Sequence, residues 1–324
     1  MKGSHQIIIK NNRMNYKLSI CRNITILRGD SATGKTTLID MVDSYCKDGA
    51  ASGIEVVCDK RCVVLSRGNW ERDLADYKDC IVFIDEGNAF VKSRSFAEKV
   101  KHSNNYYVIA TRESLYDLPY SIHEIYGIKN ISGNRYNQTK RIYSVLYPIY
   151  NIDDFQGKPD KVIVEDSNSA FQFFRALCQK EGIVCDSAKG KGGIYGRVKD
   201  STENKILVIA DGAAFGPEME RAMSIKRLKK VVYFLPESFE WLILKSGIVA
   251  KNEVKHILEK PQDFIESEKY FSWEQFFTKL LIDETKDTQL AYKKKTLNSV
   301  YLHAKNKNAL VKTAEEIAGS RLFQ

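Results

Sequence analysis

The stretch Ile24-Thr-Ile-Leu-Arg-Gly29-Asp-Ser-Ala-Thr-Gly34-Lys35-Thr36-Thr37-Leu38 narrows the choice of fold more than any other part of this 324-residue chain. Ile24, Ile26 and Leu27 read as a buried strand, and Leu38, Ile39, Met41 and Val42 as the apolar face of a helix. Between them, Gly29-x4-Gly34-Lys35-Thr36 has the spacing of a loop that cradles phosphate. The two glycines permit backbone angles that let several N–H groups point inward. Lys35 has the reach to meet β- and γ-phosphates, and the Thr36 hydroxyl is a ligand type for Mg2+. The helix opening near Gly34 adds the positive end of its dipole. The expected nucleotide contacts are Gly29, Asp30, Ser31, Ala32, Thr33, Gly34, Lys35, Thr36 and Thr37.

Two later strands continue the pattern. Cys80-Ile-Val-Phe-Ile-Asp85-Glu86 is an apolar run ending in two acids. Asp85 is expected to hold Mg2+ through water, and Glu86 to orient or deprotonate an attacking water. Tyr106-Tyr-Val-Ile-Ala-Thr111-Arg112 is a second apolar run with a polar end. Thr111 or Arg112 is the candidate sensor of a γ-phosphate; the competing expectation is that Thr111 caps a helix. With these residues the chain resembles the P-loop NTPases. Its opening, two strands Ile7–Ile9 and Tyr16–Ile20 around a turn, is similar to the start of ATP-binding-cassette-type ATPases. In P-loop NTPases with a strand inserted between the two motif strands, that strand lies beside the acid-bearing one. The resemblance therefore implies this position for Tyr106–Ala110. Leu65-Ser-Arg-Gly68 faintly echoes the cassette signature Leu-Ser-Gly-Gly and reads as a strand end, so an ATP-sandwich dimer is not expected. No Asn-Lys-x-Asp follows a strand, which favours ATP over GTP.

The chain divides into an expected ATPase domain over 1–150, a second α/β domain over 151–250 and a mainly helical region over 251–324. Ile122–Ile131 and Arg141–Tyr150 suggest a β-hairpin closing the first part, and Asn151–Asp160 a linker. From Lys161 onward, strands and helices alternate, which predicts a parallel sheet with ligands beyond the carboxyl ends of its strands. Glu165 and Asp211 stand at two such ends. If their strands are neighbours, the carboxylates converge as a hard divalent cation requires.

Over 161–246 this order resembles the Toprim domain of topoisomerases, primases and OLD-family nucleases. The resemblance implies two Mg2+ ions and phosphodiester cleavage. Glu165 matches the family's first glutamate and Asp211 the first Asp of its Asp-x-Asp. The second Asp position is Ala213, and an acid common in OLD proteins is Ser169. Glu237 and Glu240, in Leu235-Pro-Glu-Ser-Phe-Glu-Trp241, are the best substitutes. The fold class expected is α/β: a P-loop domain, a Toprim-like parallel domain and a helical tail. The whole resembles OLD-type ATPase–nucleases, which are associated with phage defence and mobile elements. It implies an ATPase that controls Mg2+-dependent cleavage of nucleic acid, DNA or tRNA. Ala213 and Ser169 support the alternative: an ATP-gated interaction or sensor protein whose Toprim-like part is an inactive scaffold for a protein partner or a second copy.

Charge permits a nucleic-acid partner without demanding one. The net charge is +9, with 22 basic and 16 acidic residues in 1–150 and 28 and 25 in the remainder, so the excess is spread out. Lys293-Lys-Lys295 with Lys305 and Lys307, interleaved with Tyr292, Tyr301 and His303, is the candidate basic face. Ala188-Lys-Gly-Lys-Gly-Gly193 reads as a basic glycine loop. No apolar run approaches the ~20 residues of a membrane span. With no signal-peptide core either, the cytoplasm is expected. The seven cysteines are scattered and read as reduced thiols.

Overall fold

The computed structural model describes residues 1–29, 34–131, 141–150 and 157–323. The chain is mixed α/β and forms two units. Unit 1 is Met1–Tyr150 with Pro261–Ser272, and unit 2 is Asn151–Lys260 with Trp273–Gln324. The helices of 251–324 therefore do not stand together: a short segment of them belongs to the first unit and the rest to the second.

In the first unit the strands are β1 (His5–Lys10), β2 (Met14–Ile20), β3 (Ile24–Leu27), β4 (Glu55–Val57), β5 (Arg61–Val64), β6 (Cys80–Ile84), β7 (Tyr106–Ala110), β8 (Ile125–Asn130) and β9 (Ile142–Pro148). The helices are α1 (Lys35–Asp48), α2 (Trp70–Asp76) and α3 (Arg94–Lys101). The described strands make a nine-stranded sheet in the order β4-β1-β2-β9-β8-β3-β7-β6-β5. Strands β8, β3, β7, β6 and β5 run parallel. Their continuous apolar runs follow from that: every residue of β3, β6 and β7 is buried, as expected of strands covered on both faces. The antiparallel pair β1 and β2 alternates buried and wetter residues instead. Its turn is fixed by Asn11, whose side-chain oxygen accepts from Arg13 N and Met14 N, both at 2.8 Å.

Strand β7 lies between β3 and β6, so the two runs carrying the nucleotide motifs are separated by one strand. Helix α1 buries Leu38, Ile39, Met41 and Val42, the face expected from the sequence. That face shares one apolar core with Ile7 and Ile9 of β1 and Cys62 of β5. The outermost strands β4 and β5 are consecutive in the chain and joined by residues 58–60 alone. Four steps of chain span at most about 14 Å. The two edges of the sheet are therefore brought round toward each other, with α1 inside the curve. His5 Nδ1 of β1 meets Asp59 Oδ2 at 2.8 Å, and Lys60 pairs with Asp79 just before β6, so this link is held to both sides. Residues 261–272 are laced to the amino terminus: Gly3 N donates to Gln262 O (2.7 Å), Ser267 N to Met1 O (2.9 Å) and Asn23 Nδ2 to Phe271 O (2.9 Å).

In the second unit, β10 (Lys161–Val164), β11 (Val184–Ser187), β12 (Lys205–Ile209) and β13 (Lys230–Phe234) form a four-stranded parallel sheet in the order β11-β10-β12-β13. Its helices are α4 (Ser169–Lys180), α5 (Lys191–Asp200), α6 (Met219–Lys226), α7 (Phe239–Lys245), α8 (Asn252–Glu259), α9 (Trp273–Thr285) and α10 (Ala304–Ala318). Phe173, Phe174 and Phe239 pack ring against ring between α4 and α7. The expected glycine loop 188–193 is shorter than its composition implies, because α5 begins at Lys191. Gly193 is required there: a Cβ would lie 2.1 Å from Ala188 O. Among the described residues no helix is long and apolar enough to cross a membrane.

Candidate functional site

Two groups of side chains gather at the carboxyl ends of strands, one in each unit. In the first unit, Gly29 has φ +130° and Gly34 has φ +89°, the left-handed region that the phosphate-loop reading needs at its two ends. Asp30, Ser31, Ala32 and Thr33 lie outside the described residues. Gly34 is further constrained by Tyr16, whose hydroxyl donates to Gly34 O at 3.1 Å. A Cβ at 34 would stand 2.8 Å from that hydroxyl. Burial pushes the Tyr16 phenol up to about 12, so it stays a donor at neutral pH.

Lys35 opens α1 and is buried; its ammonium donates to Gly29 O at 2.7 Å. Thr36 Oγ1 lies 3.4 Å from Asp85 Oδ1, immediately after β6; Thr36 and Thr37 are both exposed. One turn further along α1, the Asp40 carboxyl is pushed up by lost hydration and then by the charges of Asp85 and Asp43. Asp85 is held by Asn88, whose Nδ2 donates to its main-chain oxygen at 2.8 Å. Glu86 Oε1 pairs with Arg112 Nε at 2.7 Å. Thr111 is buried and its hydroxyl accepts from Glu113 N at 3.0 Å, so it closes a turn at the end of β7 and leaves Arg112 to face Glu86. Leu65-Ser-Arg-Gly68 follows the end of β5; Arg67 donates to Gly87 O at 3.0 Å, beside the acids.

Hydroxyl and carboxylate oxygens at Thr36 and Asp85 are the hard donors Mg2+ takes, alongside the water it retains. The residues on this side of the first unit fit a nucleotide with its metal: a buried ammonium, two left-handed glycines, a hydroxyl and a carboxylate, all at strand ends.

In the second unit, β10 and β12 are adjacent, and Glu165 and Asp211 meet beyond their ends. Asp211 N donates to Glu165 Oε2 at 3.0 Å, and Asp211 Oδ1 accepts from Phe239 N at 3.2 Å. A cavity of about 20 Å3, room for roughly one water, borders both carboxyls, with Phe174, Phe239 and Leu242 as its apolar wall. Burial lifts Glu165 to about 7; Glu274 and Asp166 add to the lift, while Asp211 N–H and Lys191 oppose it. Asp211 is pushed well up by burial, then by Glu274, Glu165 and Glu240.

The other expected acids are placed differently. Glu240 is buried at 2% exposure; its Oε1 accepts from Tyr292 OH at 2.9 Å and lies 3.8 Å from Lys294 Nζ. Glu237 is half-buried, and its main-chain oxygen accepts from Ala213 N at 3.1 Å. Ala213 is itself buried. Ser169 is turned into structure: its hydroxyl donates to Lys293 O at 2.7 Å. Lys191 Nζ donates to Ala214 O at 3.1 Å, beside the acids, whereas Lys189 lies exposed with φ +58°.

Sequence reasoning missed Glu274 and took Lys294 only as part of the basic stretch 293–295. Lys294 Nζ lies 2.5 Å from Glu274 Oε1. Burial draws its pKa down, but Glu240, Glu274 and Asp211 together raise it above the usual lysine range. Lys293 and Lys295 on either side are exposed, so the basic stretch alternates out, in, out. Nothing local marks the inward member. Among the described residues no group of three or more His, Cys, Asp and Glu side chains is arranged to hold a metal ion. A divalent cation at Glu165 and Asp211 would meet two carboxylates with an ammonium close by, and the fit is incomplete.

Comparison with protein-family models, with curated proteins and with solved structures finds no match to this chain.

Proposed function

We propose that this chain binds and hydrolyses ATP, and that its first unit is a P-loop ATPase. One observation carries the reading: Lys35 and Thr36 after β3, Asp85 and Glu86 after β6, and Arg112 after the intervening β7 converge at one end of one parallel sheet. In this reading Lys35 exchanges its Gly29 carbonyl for the β- and γ-phosphates. Thr36 and Asp85 would hold Mg2+, which supplies neutralisation of phosphate charge when bound. Glu86 orients the attacking water and accepts its proton. Arg112, released from Glu86, faces the γ-phosphate and stabilises the charge that grows there.

The second unit reads as a Toprim-like domain acting on the phosphodiester backbone of a nucleic acid under control of that ATPase. Supporting this is the meeting of Glu165 and Asp211 on neighbouring strand tips. The incomplete donor set supports no metal-dependent step here. A second reading, an ATP-gated interaction or sensor protein with an inactive scaffold, is favoured by Lys294, the internal ammonium that already neutralises part of this acid group.

The test has two arms. Lys35→Ala should abolish ATP turnover measured by phosphate release; undiminished turnover refutes the ATPase. Mg2+- or Mn2+-dependent cleavage of plasmid DNA, single-stranded DNA and tRNA is then compared between the wild type and Glu165→Ala. Cleavage lost with the substitution supports the nuclease, and absence of cleavage on all three supports the scaffold.

A further inference from the structure

The amino-terminal end of the second unit's sheet carries a dense group of cations that neither reading above uses. Lys205 opens β12 and Lys230 opens β13, and the two are direct partners in the parallel register. Lys226 ends α6, and Arg227, Leu228 and Lys229 form the turn that leads from it into β13. Together these six residues line a concavity of about 470 Å3, with no acidic side chain among its described lining.

The cations differ in what they do for the fold. Lys229 is structural: its ammonium donates to Val198 O (3.0 Å), Lys199 O (2.8 Å) and Ser201 O, closing the last turn of α5. Arg227 and Lys230 are exposed, and Leu228 stands 82% exposed between them. Asp160 lies beside Lys205, its Oδ2 accepting from Lys205 N at 3.0 Å, so the outward-facing charge of this end is set chiefly by Arg227 and Lys230. The arrangement gains from an anionic partner that spans several cations at once.

We propose that this concavity binds the phosphate backbone of a nucleic acid without reading its sequence, and serves as an anchor apart from the acid pair. Position supports the separation. Lys205 and Asp211 are six residues apart along β12 and its extension, roughly 20 Å at ~3.3 Å per residue. A strand held here lies at the opposite end of the sheet from Glu165. The other polyanionic surface, a lipid bilayer, is disfavoured by shape and composition. The site is concave, and one exposed leucine gives little of the apolar contact that stable membrane anchoring requires. The inference does not depend on cleavage, because an inactive scaffold would hold the strand equally well.

The experiment uses the full chain and fluorescein-labelled 30-mers, single-stranded and duplex, with anisotropy read from 50 to 300 mM salt. The wild type should bind both with affinity falling steeply with salt. Arg227→Glu/Lys230→Glu should weaken binding at least tenfold at 100 mM salt. It should also flatten the log–log salt slope by roughly 1.4 to 1.8, two phosphate contacts' worth. The milder Arg227→Gln/Lys230→Gln should do the same in part, which separates lost contacts from misfolding. A slope and affinity unchanged in both variants overturn the proposal. So does an equal loss in Lys293→Glu/Lys295→Glu, which would place the contact on the other basic stretch. Binding to phosphatidylserine vesicles that Leu228→Ser abolishes, with no binding to either 30-mer, overturns it in favour of a membrane.

Discussion

Replacing Glu165 by Gln should remove a pH dependence from the second unit and stabilise it in mild alkali. The Glu165 carboxyl is half-buried against Phe174 and Phe239 and titrates at about 7, against 4.5 for an ordinary glutamate. Because the folded pKa lies above the unfolded one, the protonated acid is the form that folding favours. That stabilisation is complete below about pH 4.5 and is lost as pH rises through 7. The difference between the two values corresponds to roughly 3 kcal/mol for this group. Gln keeps an oxygen for Asp211 N and cannot ionise, so it mimics the protonated state at every pH. The wild type and the variant should therefore unfold at similar urea concentrations at pH 4.5. By pH 8 the variant should lead by up to about 3 kcal/mol. Tryptophan fluorescence suits the assay, since Trp241 and Trp273 belong to the second unit and Trp70 to the first. A stability difference that stays flat from pH 4.5 to 8, or a variant weaker at pH 8, would show that Glu165 is ionised and at ease in the folded protein.

Gly34→Ala should destabilise the first unit by roughly 2 to 3 kcal/mol, combining the left-handed backbone penalty with the lost Tyr16 hydrogen bond. In a Tyr16→Phe background the cost should fall by about 1 kcal/mol, since the hydroxyl that a Cβ would strike is gone and the ring carbons stand 3.7 Å away. Equal costs in the two backgrounds, by urea denaturation, would refute the contact. Lys294→Met should cost roughly 1 to 3 kcal/mol at pH 7.5, below the full price of a broken buried pair because the lysine side chain is 35% exposed. A stability unchanged in the same assay would mean that Glu240 and Glu274 are satisfied without it.

Much of the first unit was readable from its pattern of residues. Continuous apolar runs at Ile24–Leu27, Cys80–Ile84 and Tyr106–Ala110, short and rich in β-branched and aromatic residues, read as strands covered on both faces, and each ends in polar groups. The glycines at 29 and 34 announced the backbone angles they adopt. The pairing of Glu86 with Arg112 was not announced: the resemblance put the strand Tyr106–Ala110 beside the acid-bearing one, but which polar residue at its end faces Glu86 depends on the turn that Thr111 closes. Helix α3 escaped notice since its apolar face is only Phe96, Ala97 and Val100. Helix α5 hid behind three glycines. In the second unit, Glu165 and Asp211 were visible as acids at strand ends, but Glu274 and Lys294 arrive from elements far along the chain. Long-range charge pairing of this kind leaves no local period to read. The same holds for 261–272, whose ties to Met1, Gly3 and Asn23 run mostly through backbone groups that every residue possesses.

An open sheet of this width exposes two rims of unpaired amides, each a template on which another chain could extend it. Here residues 58–60 act as a buckle, drawing the first and last strands round the helix that carries Lys35. A protease cut in that buckle would leave every ladder intact while freeing both rims at once. The nicked molecule should keep its secondary structure yet tend to self-associate, and the belt around α1 would loosen at Lys35, whose ammonium ties the start of that helix to Gly29 O.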